Sequence, residues 1–174
     1  KRERIFILII LGIDPGIAIV GYGVIEYKGN NFRVIDYGAI TTPAHTDLTT
    51  RLEMVYKGVD TIIKSYDIDE VGIEELFFNK NVKTAITVAQ ARGVTLLACA
   101  HNNVPIYEYT PPQIKQGVCG YGRADKVRVQ KSVTSFLKLK KVPKPDDVAD
   151  ALAIAICHAH ANKLDKTLRN IQGL

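Results

Sequence analysis

The feature that most constrains this chain is the run Ile5–Ile13 (IFILIILGI), interrupted only by Gly12 and stopped by Asp14-Pro15-Gly16. An apolar segment without alternation is a strand buried on both faces, the central strand of a helix-covered sheet. The basic residues Lys1-Arg2 and Arg4 ahead of it imitate a secretory signal. No small-residue cleavage site follows, however, and the run falls short of the ~20 residues that span a bilayer. The expectation is a soluble, cytoplasmic chain. Asp14 then emerges from the middle of the sheet at a strand's C-terminal end, where open α/β sheets place ligands. Its competing role is to open an Asp-Pro-Gly turn.

After this strand, Ile19–Tyr27 and Phe32–Ile40 are strand candidates joined by the turn signal Lys28-Gly29-Asn30-Asn31. Three strands so close together predict an antiparallel meander. The period then becomes helical at Leu48, Leu52, Val55, Tyr56, Val59, Ile62 and Ile63, with Thr46 or Asp47 as N-cap. Asp69–Glu74 reads as a strand. Val82, Ala85, Ile86, Ala89, Gly93, Leu96, Leu97 and Ala100 read as one stripe of a long helix, and Val104–Tyr109 as a fifth strand. Helices follow after Pro111-Pro112, from Ala124 to about Leu139, and from Asp146 to about Asn162. The fold class is α/β, a mixed five-stranded sheet with helices on its faces. At 174 residues, 47% apolar and 24% charged, the chain reads as one domain, residues 1–174, with a core over about 5–162 and short tails. Disorder and coiled coil do not fit this composition. Cys99, Cys119 and Cys157 have no zinc-ligand spacing and read as reduced thiols.

Four carboxylates are candidates for chemistry. Glu74 ends its strand as Asp14 does, and lies beside Asp14 if the two strands are parallel. Glu75 competes with it, and strand alternation admits only one of the two. Asp147 and Asp150 are three apart on one helix face. Capping also explains Asp146 or Asp147 at that helix start, but not Asp150. Carboxylates meeting in one place raise each other's pKa values unless cations neutralise them. Oxygen-only ligands suit Mg²⁺ or Mn²⁺, and two such ions can hydrolyse a phosphodiester.

The net charge of +5 is uneven: residues 1–87 hold 10 Lys/Arg and 12 Asp/Glu, residues 88–174 hold 13 and 6. Between Lys115 and Lys144 there are nine bases, including Lys115, Arg123, Lys126 and Arg128, against Asp125 alone. Such a stretch points to a polyanion. The loop Gly117–Gly122 within it would let the backbone approach phosphates. Phe77-Phe78 follows Glu74 closely, and one of two successive aromatics is free to stack on a base. His158 and His160 fall on different faces of a late helix and read as ordinary surface or packing residues rather than as a metal pair.

Five ordered blocks closely resemble the RuvC family, bacterial Holliday-junction resolvases of the ribonuclease H-like superfamily. They are Leu11–Gly16 (LGIDPG), Gly72–Asn81 (GIEELFFNKN), Ala89–Gly93 (AQARG), Tyr109–Lys126 and Asp147–Ala161 (DVADALAIAICHAHA). The resemblance implies a ribonuclease H-like fold and a structure-specific endonuclease. Such an enzyme cuts two symmetry-related strands of a four-way DNA junction during recombination and repair. It also implies that Asp14, Glu74, Asp147 and Asp150 hold two Mg²⁺ ions, with Mn²⁺ as a substitute. Lys115 and Lys126 become active-site or DNA-contacting lysines, and Phe77 the aromatic that meets bases. The helix carrying Ala89–Gly93 becomes a homodimer interface, and the RuvA and RuvB branch-migration proteins become partners. Asp146 sets a second carboxylate beside Asp147, and the spacing to Asp150 favours Asp147. An actin-like ATPase would need a second similar half, and a junction-binding module without catalysis leaves the carboxylates unexplained.

Overall fold

The computed structural model describes residues 7–76 and 82–172. Its elements run β1 (Ile7–Asp14), β2 (Ile19–Lys28), β3 (Asn31–Thr41), α1 (Leu48–Tyr66), β4 (Glu70–Glu74), α2 (Val82–His101), β5 (Ile106–Tyr109), α3 (Pro111–Cys119), α4 (Lys126–Phe136) and α5 (Asp146–Gln172). The five strands form one sheet in the order β3-β2-β1-β4-β5. β1 is central, as its unbroken apolar run requires. It pairs antiparallel with β2 and parallel with β4. The meander is as expected: Gly29 and Asn30 both have positive φ, 53° and 70°, the geometry of a tight hairpin turn.

Strand periodicity divides the core. Leu8 and Ile10 face a cluster built from α5, α3 and α4; Leu11 and Ile13 face one built from α1 and α2. Gly12 and Asp14 continue the first set, so Asp14 lies on the α5 face. α5 approaches that face closely enough to need glycine. A Cβ at Gly12 would stand 2.1 Å from the Ala151 carbonyl oxygen, and one at Gly21 would stand 2.0 Å from that of Asp147. Gly21 is the register partner of Asp14, so this contact brings the start of α5 to the end of β1.

Several boundaries differ from the sequence reading. Asp47 is the cap of α1, its side chain accepting from Thr50 N at 2.8 Å. α4 starts after the cap Asp125 and ends at Leu137, with Lys138 at φ 52°, shorter than the pattern suggested. α5 continues ten residues past Asn162. Nothing from Lys163 to Gln172 breaks a helix; Gly173 is the first residue that does. Gly117–Cys119 belong to α3 rather than to a phosphate loop, and only Gly120, at φ 70°, caps the helix. Gly117 instead lies against Cys157, whose Sγ would be 2.9 Å from an added Cβ.

The single stripe assigned to α2 also resolves differently. Its buried residues are Ala91, Thr95, Ala98 and Cys99, while Ile86 (54%) and Leu97 (47%) are exposed. Gly93 points into open space. The helix is apolar on two sides, and among the described residues only one is covered within the chain. Cys99, Cys119 and Cys157 are free thiols; burial pushes Cys99 up to about 11 and Cys157 up to about 12. Among the described residues no helix is long and apolar enough to cross a membrane.

Candidate active site

Asp14 is carried to the C-terminal edge of β1, and Glu74 to that of β4. The parallel register ends at Ile13↔Ile73, so the two carboxylates occupy neighbouring positions one step further. Alternation decides between Glu74 and Glu75. Ile73 belongs to the α1–α2 core, and Gly72 lies near Ile154 and His158 of α5; Glu74 therefore faces α5 and Asp14. Glu75 is exposed, and its backbone N–H donates to Tyr109 O at 2.8 Å. α5 delivers Asp147 and Asp150 from above.

The electrostatics record this convergence. Asp14 rises from 3.8 to about 8, through burial first and then the charges of Asp150, Glu74 and Asp147, with Lys126 pulling the other way. Burial also raises Glu74, to which Asp150 adds and which Lys115 opposes. Asp150 is raised by burial against the pull of Lys126. A cleft of about 260 Å³ lies alongside, lined by Glu74, Lys115, Lys126 and Asp150 with the apolar floor of Ile114, Val129 and Ala153. Lys115 enters it from α3, whose start is fixed by Thr110 and Gln113 in a capping box after β5. Lys126 enters as the first residue of α4, and its Nζ lies 3.2 Å from Asp150 Oδ2.

Arg123 and Arg128 are exposed and do not line the cleft. Phe77 lies outside the described residues. Of the two ordinary roles expected for His158 and His160, surface or packing, the structure shows packing. His158 is buried, with Nε2 2.6 Å from Glu70 Oε2 and Nδ1 2.6 Å from the Tyr109 hydroxyl. His160 Nδ1 donates to Gly117 O, and its ring meets those of Phe32 and Phe136 edge-on.

All the acidic groups gathered here offer oxygen, the donor set of Mg²⁺ or Mn²⁺. Burial first and then the neighbouring carboxylates disfavour the ionised form of Asp14, and a cation would relieve that repulsion. In this sense the residues fit a divalent metal. Among the described residues no three His, Cys, Asp or Glu side chains are already drawn around one point. The site is a field of repelling carboxylates with a lysine at its lip.

The sequence did not reveal what Asp146 does. Its contacts with Lys126, Gln130 and Lys144 depend on how α4 lies against α5. The signal available was Lys126 and Gln130, four apart on one face of α4.

This arrangement has relatives. Residues 10–158 match the family model described as crossover junction endodeoxyribonuclease RuvC. The protein of that name from Clostridioides difficile strain 630 is 78% identical over 166 residues, 95% of this chain and 98% of its own. Its counterpart from Alkaliphilus oremlandii is 59% identical, over 93% and 99%. The solved Thermus thermophilus RuvC in complex with Holliday junction substrate superposes with a TM-score of 0.87 at 34% identity, over 91% and 96%. With the fold and nearly the whole length in common, the chain belongs to the RuvC crossover junction endodeoxyribonuclease family.

Proposed function

We propose that this chain is a structure-specific endonuclease that resolves four-way DNA junctions, cutting phosphodiester bonds in two strands as a homodimer. The observation that carries the reading is the meeting of Asp14, Glu74, Asp147 and Asp150 beside a cleft with Lys115 and Lys126 at its edge, where burial and then neighbouring carboxylate charge raise Asp14, Glu74 and Asp150. Membership of the family and the likeness to a relative solved on a junction support the choice of substrate. A binding module without catalysis has no use for carboxylates that repel the phosphate.

Asp14, Glu74, Asp147 and Asp150 would hold two Mg²⁺ ions, which Mn²⁺ can replace. When bound, such ions supply an activated water and charge stabilisation at the leaving oxygen. The chain's own residues do the rest. β1 and β4 fix Asp14 and Glu74 on rigid elements, and α5 holds Asp147 and Asp150 at a spacing set by one helical turn. Lys115 and Lys126 offer positive charge to the phosphate, and Arg123 and Arg128 contact the backbone farther out. Phe77 stacks on a base near the junction centre. A twofold dimer suits the reaction because the two cuts are symmetry-related. The RuvA and RuvB proteins are the expected partners, in the bacterial cytoplasm, and residues 1–174 act as one nuclease domain.

The test is incubation with a synthetic four-way junction in Mg²⁺ and in EDTA. Paired nicks at symmetric positions in Mg²⁺, absent in EDTA and absent on linear duplex, are the expected result. Binding without cutting in any divalent metal would overturn it.

A further inference from the structure

Asp146 stands beside Asp147 but is occupied by the chain itself. Its Oδ1 accepts from Lys144 Nζ at 2.5 Å and from Gln130 Nε2 at 3.3 Å, and its Oδ2 lies 3.2 Å from Lys126 Nζ. Those donors arrive from the connection before α5 and from one face of α4, where Lys126 and Gln130 are a turn apart. The same Lys126 Nζ is 3.2 Å from Asp150 Oδ2. One ammonium is thus shared between a carboxylate on the rim and a carboxylate in the cleft.

We propose that Asp146 is a positioning residue, the dock of Lys126, and not a metal ligand. Lys126 serves as a tethered counter-ion of Asp150 in the metal-free protein. When a divalent cation takes Asp150, Asp146 retains the ammonium at the rim, within reach of a phosphate in the cleft. The inference rests on the metal-site reading above and assigns a role within it. Its energetics are suitably small. Lys126 is 51% exposed, Asp146 41% and Asp150 32%, so water screens both pairs and neither holds the lysine irreversibly. A competitor of that strength shifts metal affinity by about two- to fivefold.

The test measures Mn²⁺ binding directly, by the electron paramagnetic resonance of free Mn²⁺, and single-turnover junction cleavage on the same preparations. Lys126→Met should tighten Mn²⁺ by about two- to fivefold while slowing cleavage. Asp146→Asn should alter Mn²⁺ affinity by less than about threefold, against a loss of more than tenfold for Asp150→Asn. It should slow the single-turnover step at saturating junction by about tenfold, since a misplaced group costs rate more than binding. The double variant should cut no slower than Lys126→Met alone, because the dock has no role without its lysine. Asp146→Glu should recover part of the rate. Asn and Asp serve a helix start equally well, and a thermal melt checks that the fold is kept. Loss of Mn²⁺ in Asp146→Asn equal to that in Asp150→Asn would make Asp146 a ligand and overturn the proposal. So would multiplicative rate effects of Asp146 and Lys126, or unchanged Mn²⁺ affinity in Lys126→Met. Intact Mn²⁺ binding in Asp150→Asn would instead sink the metal-site reading, which the Asp146 variant leaves untouched.

Discussion

Asp14 shows most directly what a site of gathered carboxylates does to its own chain. Its pKa is about 8 in the folded protein against an ordinary 3.8, because it is buried and faces Asp150, Glu74 and Asp147. A folded-state pKa above the unfolded one means that stability is fully present below about pH 4 and is lost as pH rises through about 8. Asp14→Asn removes that penalty. It should raise the melting temperature in EDTA at about pH 8, by a stabilisation on the order of a few kcal/mol, and give little gain at about pH 4. Melts of both proteins at the two pH values check this, and an equal gain at both would deny the charge origin. Asp150→Asn separates binding from chemistry at the same scale. It keeps size and helical position, and removes a charge that opposes the phosphate. Junction binding in EDTA should match or exceed wild type, while nicking in Mg²⁺ falls by orders of magnitude. A variant that cuts normally would return Asp150 to a structural role.

At the scale of elements, α2 carries the sharpest expectation. Ile86, Gln90, Gly93, Leu97 and Ala100 recur at helical spacing on its exposed side, and the opposite side is buried against the chain. A charged residue placed on that outer stripe disturbs no internal packing. Leu97→Glu should therefore leave the melting temperature within a few degrees and turn the proposed dimer into monomers in sedimentation at micromolar concentration. A Leu97→Glu protein that remains dimeric would move the interface elsewhere. The contrast within α2 also shows where sequence reading stops. Periodicity found the helix and its apolar character, but a helix apolar on two sides gives no hint of which side the chain itself covers. The strand ends were easier. β1 had to be central because nothing polar interrupts it, and Asp14 and Glu74 followed from where the strands end. Gly117 misled because a glycine inside a basic stretch reads as a loop; its real constraint is Cys157 on α5, two elements after its own helix α3 in sequence and adjacent in space. Asp146 was ambiguous for the same kind of reason, since its partners Lys126 and Gln130 come from a different helix.

For the whole molecule the governing fact is where the charge sits. The excess of bases lies in residues 88–174, and the structure sets Lys115 and Lys126 in the lining of the cleft, with the exposed Arg123 and Arg128 beyond it on the turn between α3 and α4 and on α4. A polyanion that reaches the acidic site must first be held by these groups, so counterion release should dominate affinity. Each phosphate neutralised contributes a slope of about −0.9 to log K against log salt. Four contacts then predict a loss of affinity of about 10²-fold between roughly 50 and 200 mM salt, measured in EDTA so that divalent ions do not screen the duplex. Arg128→Ala should reduce the slope by about one and weaken binding to junctions of different sequence alike. Lys138→Ala is the internal control. Lys138 lies beyond the far end of α4, more than about 15 Å along the helix from Lys126 at 1.5 Å per residue, where a left-handed backbone ends the helix. Its removal lowers the net charge as much as that of Arg128, yet should leave the slope unchanged. If both variants lower the slope equally, the protein attracts DNA by its overall charge, and the bases on α3, α4 and the turn between them have no special part in holding the junction.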